Sequence, residues 1–327
     1  MSSPLTLELI AQAKNSIKDR ILQTPLEPSK ALSELLQTEV CLKLENFQTT
    51  GSFKVRGAFF YLSTCKESEC RQGVAACSAG NHGLGVAFAA QKMGIPCTVY
   101  VPQGVDQSKY EKILQLGATV FRSQFVGYDD TLVWAQQDAK QKGLHFITAF
   151  DDERIMAGNG GTLAMEILDA CPDVKNVVFP VGGGGLGAGL SFYLKEKNPS
   201  IRLIGCQHIN SPALKLSLER QKAVTVLPAI DTVACGVEGG IGEKCFEILK
   251  NRIDDVILLS EEEIYDAFIW QMHHYPYLIE PTAAVTLAAC LSKKIPCLQG
   301  KTVVLFSGSN VSKETIDRIT FQSLRHE

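Results

Sequence analysis

Three segments of the sequence set reactive side chains beside turns suited to anions. In Gly51-Ser-Phe-Lys-Val-Arg-Gly57, Lys54 lies between an aromatic residue and small residues. A lysine forms a Schiff base only through its neutral amine, which burial and nearby cations favour. An arbitrary lysine is a solvated surface cation, so only its flanks single out Lys54. Arg56 is charged and close in sequence, although the two side chains need not converge. Ser78-Ala-Gly-Asn-His-Gly83 offers backbone N–H groups to a carboxylate, with Asn81 adding a side-chain amide. Ser78 or Asn81 would serve equally as a helix cap, and His82 equally as a structural histidine. Pro180-Val-Gly-Gly-Gly-Gly-Leu-Gly187 carries more glycine than a tight turn needs. Its consecutive N–H groups, at the start of an expected helix, suit a phosphate.

That stretch also satisfies G-x-G-x-x-G through Gly182, Gly184 and Gly187. A dinucleotide site would add an acid at the end of the next strand. Here Gln207-His208 stands there instead. No Lys-Ser/Thr follows the glycines, so a Walker loop is excluded as well. A single phosphate on a small cofactor fits better than a dinucleotide.

The elements that must position these residues follow from periodicity. Apolar, β-branched runs predict strands at 40–45, 74–78, 97–101, 119–122, 145–148, 177–181, 201–206, 256–259 and 302–306. Helical patterns fall at 84–93, 106–116, 131–142, 162–169, 186–195, 261–273 and 281–292. Strands alternating with helices imply parallel pairing and an open doubly wound α/β sheet. Ligands of such sheets sit beyond the carboxyl ends of the strands. The glycine clusters at 80–85, 182–189 and 236–242 are therefore candidate site walls.

With 327 residues the chain has room for one large or two smaller units. Its 32 basic and 35 acidic side chains give a net charge of −3, without a basic block for nucleic acid. No apolar run is long enough to span a bilayer, and no signal-peptide pattern opens the chain. The 11 cysteines include no Cys-x-x-Cys pair, which argues against zinc and thioredoxin-type sites. Cys97, Cys206 and Cys290 sit in apolar stretches and read as buried. The expected compartment is the cytoplasm.

Gly51-Ser-Phe-Lys-Val-Arg-Gly-Ala58, Ser78-Ala-Gly-Asn-His-Gly83, Pro180-Val-Gly-Gly-Gly-Gly-Leu186, Ile279-Glu-Pro-Thr282 and Ser307-Gly-Ser-Asn310 occur in one order. Together they resemble the fold type II pyridoxal-phosphate enzymes, in the threonine dehydratase and serine racemase branch, over residues 44–310. The resemblance implies two open doubly wound sheets, as in the tryptophan synthase β chain. Residues 1–72 and 151–327 would form a large domain binding pyridoxal 5'-phosphate, and 73–150 a small mobile one. It implies that Lys54 holds the cofactor as a Schiff base and later removes the substrate's Cα proton. Phe53 would pack on the ring, Asn81 would bond its phenolic oxygen, and Gly182, Gly183, Gly184, Gly185 and Leu186 would cradle the phosphate. Ser307 would face the pyridine nitrogen. Ser78, Ala79, Gly80, Asn81 and His82 would take the substrate carboxylate. The implied reaction is β-elimination from a hydroxy amino acid, L-threonine or L-serine, to a 2-oxo acid and ammonia. A homodimer is implied too.

Departures from that branch carry expectations of their own. Serine racemases place a serine where this chain has Ala79, and alanine cannot transfer a proton to the opposite face of Cα. The racemases' divalent-metal carboxylates are matched by Gln207 and Ala213, so no metal is expected there. His273 and His274 are adjacent and cannot face one point from a helix; they read as structural. After Asn310 only 17 residues remain, so the regulatory domain of biosynthetic threonine dehydratases is not expected. The competing readings are an amino-acid racemase, a dehydratase of 3-hydroxyaspartate or phenylserine, a silent cofactor carrier and, more distantly, a dinucleotide oxidoreductase.

Overall fold

The computed structural model describes residues 4–78, 80–126 and 128–323. Its strands are, in chain order, β1 (Leu26–Pro28), β2 (Val40–Leu44), β3 (Val74–Cys77), β4 (Cys97–Val101), β5 (Thr119–Arg122), β6 (His145–Phe146), β7 (Asn176–Pro180), β8 (Arg202–His208), β9 (Asp255–Leu259) and β10 (Thr302–Phe306). Six form one sheet in the order β1-β2-β10-β7-β8-β9, and four form a second in the order β5-β4-β3-β6. Every pairing is parallel except β1 with β2, where Leu26 faces Lys43 and Pro28 faces Cys41. The all-parallel expectation thus fails at one edge. Pro28 has no N–H to donate, which suits a short edge strand.

Strands β3, β4, β7 and β10 are buried at every position. Helices cover both faces of a parallel sheet, so continuous apolar runs replace alternation. The helix Pro281–Leu291, TAAVTLAAC after its leading proline, is buried from Ala283 to Cys290 and packs across β7 to β10. Proline at its first position costs no intrahelical bond.

Both sheets reverse their winding beside the same space. From β7 the chain proceeds to β8 and β9 on one side, then returns to β10 on the other. In the second sheet β3 leads to β4 and β5, and β6 closes back on the opposite flank of β3. A reversal leaves a crevice at the carboxyl ends, because neighbouring connections leave in opposite directions. The turns after β3, β6, β7 and β10 open onto the two crevices.

The helix Lys54–Thr64, absent from the sequence expectation, lies between the layers with residues 55–62 buried. It packs on the helix Asn81–Met93 and on a π-helical turn, Ala157–Gly161. Asn159 Oδ1 in that turn accepts from Gly57 N at 2.8 Å. The π turn also meets the helix Gly185–Lys197 so closely that a Cβ on Gly160 would lie 2.0 Å from Leu186 O. One small-residue turn thereby fixes the lysine-bearing helix and the helix behind the four glycines.

Candidate active site

The two crevices merge into one cavity of about 560 Å³. Phe53, Lys54, Ser78, Gly80, Asn81, His82, Gly182, Gly183, Gly184, Gly185 and Leu186 all line it. Ala79 lies outside the described residues. Ser307 is not among the lining residues: it is 0% exposed, and its carbonyl accepts from the backbone N–H of Phe53, which does line the cavity. Of the third glycine cluster, Gly236 and Gly239 reach the cavity, while Gly242 packs on Asp151.

Lys54 is the first residue of its helix. Its Nζ donates to Ala149 O, 3.1 Å away in the turn after β6, and stands 5.3 Å from the Phe53 ring centre. Burial pushes the ammonium down to about 8, against the opposing pull of Cys245 and Glu280. About a tenth of a lysine with that pKa is neutral at pH 7, against well under a thousandth of an ordinary one. Arg56 goes elsewhere: two residues on, it faces the opposite side and pairs with Glu45 and Glu166.

The loop before Lys54 is tied to the segment after β10. Phe53 N donates to Ser307 O, Ser309 N to Gly51 O, and Glu280 N to Gly308 O. Asn310 Nδ2 donates to Thr50 O at 2.7 Å and to Asn81 Oδ1 at 2.8 Å. Asn81 Nδ2 in turn donates to both Glu280 oxygens, at 2.7 and 3.0 Å. Glu280 and Asn310 were present in the quoted motifs but had no role in the sequence reading. Their contacts join residues 199 to 260 positions apart, which no local pattern reveals. Burial raises the Glu280 carboxyl to about 7, offset by the Asn81 hydrogen bond, Lys109 and Lys54.

His82 Nε2 lies 3.2 Å from Ile147 O. Burial, with Lys54 nearby, lowers the ring to about 3 despite that bond. His82 is therefore neutral at working pH and ties the Ser78 turn to the chain after β6. Gly80 N donates to Ser78 Oγ at 3.1 Å, so the turn holds its own shape.

At the opposite wall, Gly184 caps the helix Gly185–Lys197 with φ +92°, a left-handed conformation that favours glycine. A Cβ on Gly183 would meet the Phe150 ring at 2.3 Å. These glycines are thus demanded by close packing as well as by any ligand. The first-turn N–H groups of the helix have no intrahelical acceptors and point toward the crevice end, where the helix dipole adds positive potential.

Gln207 lies in β8 and Ala213 begins the helix Ala213–Arg220. Gln207 Nε2 donates to Val181 O and its Oε1 accepts from Lys215 N. His273 and His274 are exposed at the end of the helix Glu261–His274, with His274 stacked on Trp270. Cys97, Cys206 and Cys290 are buried, whereas Cys235 and Cys297 are exposed.

Ser307 tests the fit of a pyridine-containing cofactor. Its hydroxyl is fully buried and has no hydrogen-bond partner in the protein. An unsatisfied buried hydroxyl costs about 1–3 kcal/mol, and a ring nitrogen supplies the missing acceptor. The glycine turn suits a phosphate, and the partly neutral lysine between them suits an aldehyde. The residues present fit pyridoxal phosphate.

Two sheets of reversed winding, parallel except at β1, with a buried lysine and a glycine turn at a helix start between them define a fold type II pyridoxal-phosphate enzyme. Residues 17–308 match the family described as "Pyridoxal-phosphate dependent enzyme", and the chain belongs to it. An L-threonine ammonia-lyase of Thermotoga maritima is 38% identical over 321 residues, covering 98% of this chain and 79% of the relative. A catabolic L-threonine dehydratase of Escherichia coli strain K12 is 36% identical, covering 97% and 96%. Among solved structures, maize serine racemase superposes with a TM-score of 0.90 at 26% identity, covering 100% and 99%.

Proposed function

We propose that this protein is an ammonia-lyase that converts L-threonine, and L-serine as a second substrate, into the 2-oxo acid and ammonia. The observation that carries the reading is the Lys54 amine, partly neutral and set between the glycine turn and the Ser78–His82 turn. The names of the Thermotoga and Escherichia relatives support threonine as substrate. When bound, pyridoxal phosphate supplies a conjugated ring that takes up the electron pair of the Cα–H bond.

The protein's own groups do the rest. Gly182 to Leu186 would hold the phosphate, Phe53 would pack on the ring and Ser307 would face its nitrogen. A hydroxyl there, rather than a carboxylate, would leave the nitrogen unprotonated, a weaker electron sink that suits elimination. Asn81, held by Glu280 and Asn310, would give up one of its two Glu280 hydrogen bonds to donate to the phenolic oxygen. The turn from Ser78 through Gly80 to His82 binds the substrate carboxylate and so aims Cα–H at Lys54 Nζ. Lys54 then accepts that proton, acting through proximity. The β-hydroxyl leaves as water, taking up the proton that Lys54 has accepted, and hydrolysis of the released enamine consumes one water, giving 2-oxobutanoate and ammonia from threonine. Ala79, by sequence, offers no proton to the opposite face of Cα, which disfavours racemisation.

Incubating the holoenzyme with L-threonine, L-serine, D-serine and 3-hydroxyaspartate, with 2-oxo acid and chiral assays, tests the reading. Rapid 2-oxobutanoate formation is expected. D-serine formation outpacing pyruvate would replace it with a racemase.

Two further outcomes follow from single groups. Cofactor uptake by the apoprotein should quicken about tenfold per pH unit between pH 6 and 7.5, then level off above about 8, as Lys54 loses its proton. Stopped-flow absorbance measures this, and a flat profile would remove the neutral amine from the argument. Ser307→Ala should raise the melting temperature of the apoprotein, because it removes a buried hydroxyl that has no partner. The same change should weaken cofactor binding by about 1 kcal/mol, read by equilibrium dialysis.

The four strands of the second sheet all fall within 73–150, which supports that segment as a small domain closing over the substrate. No helix among the described residues is long and apolar enough to cross a membrane. We place the protein in the cytoplasm as a homodimer, an assembly that sedimentation velocity tests.

A further inference from the structure

Away from the cavity, at the far end of the Lys54 helix, three side chains from separate elements converge. Cys65 caps that helix, Glu69 lies in the short helix Glu67–Cys70, and His145 begins β6. Their thiol, carboxylate and ring-nitrogen atoms all lie within 4.8 Å of one another. Cys65 and His145 are partly buried and Glu69 is exposed, so a solvated ion has a path in. The Cys70 thiol is within hydrogen-bonding reach of Cys65.

We propose that Cys65, Glu69 and His145 form a site for a borderline-soft divalent cation of the Zn²⁺ class. A thiolate, an imidazole and a carboxylate are the donors such an ion takes, and three protein ligands leave a fourth position for water or Cys70. Tetrahedral bonds of about 2.0–2.3 Å set donor atoms about 3.3–3.7 Å apart. The cluster therefore has to tighten by roughly an ångström, within the reach of side-chain rotation on an exposed carboxylate. Cys65 binds as the thiolate and releases its proton to solvent. The Tyr61 hydroxyl, 2.9 Å from His145 Nε2, orients the ring, the outer-shell support that ligating histidines generally have. Arg154 lies over the Tyr61 ring at 3.7 Å, but its charge is met by both Asp152 oxygens, at 3.1 and 3.0 Å.

The site has a structural consequence. Lys54 and Cys65 bracket one helix of 11 residues, about 16 Å long. An ion held by Cys65 and by His145 of β6 ties the end of that helix to the edge strand of the second sheet. The absence of Cys-x-x-Cys spacing does not bear on such a site, because it uses one cysteine, Cys65, together with Glu69 and, 80 residues on from Cys65, His145.

Titration of the holoenzyme with Co²⁺, under a phosphine reductant, reads the site spectroscopically. Expected is one ion per chain, with the visible bands of thiolate-bound tetrahedral cobalt, displaced by Zn²⁺. Cys65→Ser and His145→Gln should each weaken binding at least about tenfold, and Glu69→Gln should do so without burdening the fold. Cys297→Ser, which alters an exposed thiol elsewhere, should bind as the parent does. Equal affinity and spectra in the parent, Cys65→Ser and His145→Gln, or no binding by the parent, would overturn the proposal.

Discussion

Lys54→Ala is expected to yield a folded, colourless protein whose turnover of L-threonine falls at least about a thousandfold. The fold should survive because the Lys54 side chain contributes one hydrogen bond, to Ala149 O, and its ammonium is already disfavoured by burial. Removing it relieves that desolvation, so the melting temperature should hold or rise. Catalysis, by contrast, loses the group that anchors the cofactor and accepts the Cα proton. Lys54→Arg separates these roles from simple charge. A guanidinium keeps the positive charge but stays protonated and forms no Schiff base, so this variant should be as inactive as the alanine one. Absorbance of the purified proteins and of borohydride-treated parent gives the cofactor linkage, and 2-oxo acid assays give turnover. Activity within tenfold of the parent in either variant would return Lys54 to the status of an ordinary cation.

Much of this site was legible before the structure, and the reason is physical. Tight turns at strand ends favour glycine, so the runs at 80–85 and 182–189 announced themselves as walls of the cavity. Strands buried on both faces read as apolar runs, and β4, β5 and β10 fell on their expected bounds. The Lys54–Thr64 helix escaped because it is buried nearly all round. Its KVRGAFFYLST pattern lacks the polar face that marks an amphipathic helix. The π turn at Ala157–Gly161 escaped because its glycines and asparagine signal a loop; packing against two helices holds it helical. Glu280 and Asn310 were visible as letters, yet their hold on Asn81 is a tertiary contact. The same is true of Cys65, Glu69 and His145.

The second large effect is expected at Arg56, the residue next but one to the lysine. Its side chain is fully buried and donates to both Glu45 oxygens at 2.7 Å and to Glu166 at 2.7 and 2.9 Å. Lys43 closes the group, donating to Glu166 at 2.6 Å and to Thr24 O at 2.7 Å. Two cations and two carboxylates balance, so the cluster is neutral as a whole. Arg56→Met leaves two carboxylates facing one ammonium in a dry interior, and should cost about 3–5 kcal/mol of stability. Arg56→Lys should recover little, since one ammonium cannot bind two carboxylates bidentately. The pH dependence gives the sign. Burial raises the Glu45 carboxyl, but Arg56 and Lys43 more than offset this, so it lies below its ordinary value. A depressed folded pKa stabilises above the unfolded pKa, about 4.3, and that contribution is lost as pH falls through the folded value. Without Arg56, burial dominates and the folded pKa moves above the unfolded one. The variant should then regain stability relative to the parent as pH falls from 7 toward 5, because protonated Glu45 no longer carries a buried charge. Urea unfolding of the apoproteins at pH 7 and 5 measures both effects. A deficit that stayed constant with pH would mean that lost packing, not the stranded carboxylates, accounts for it.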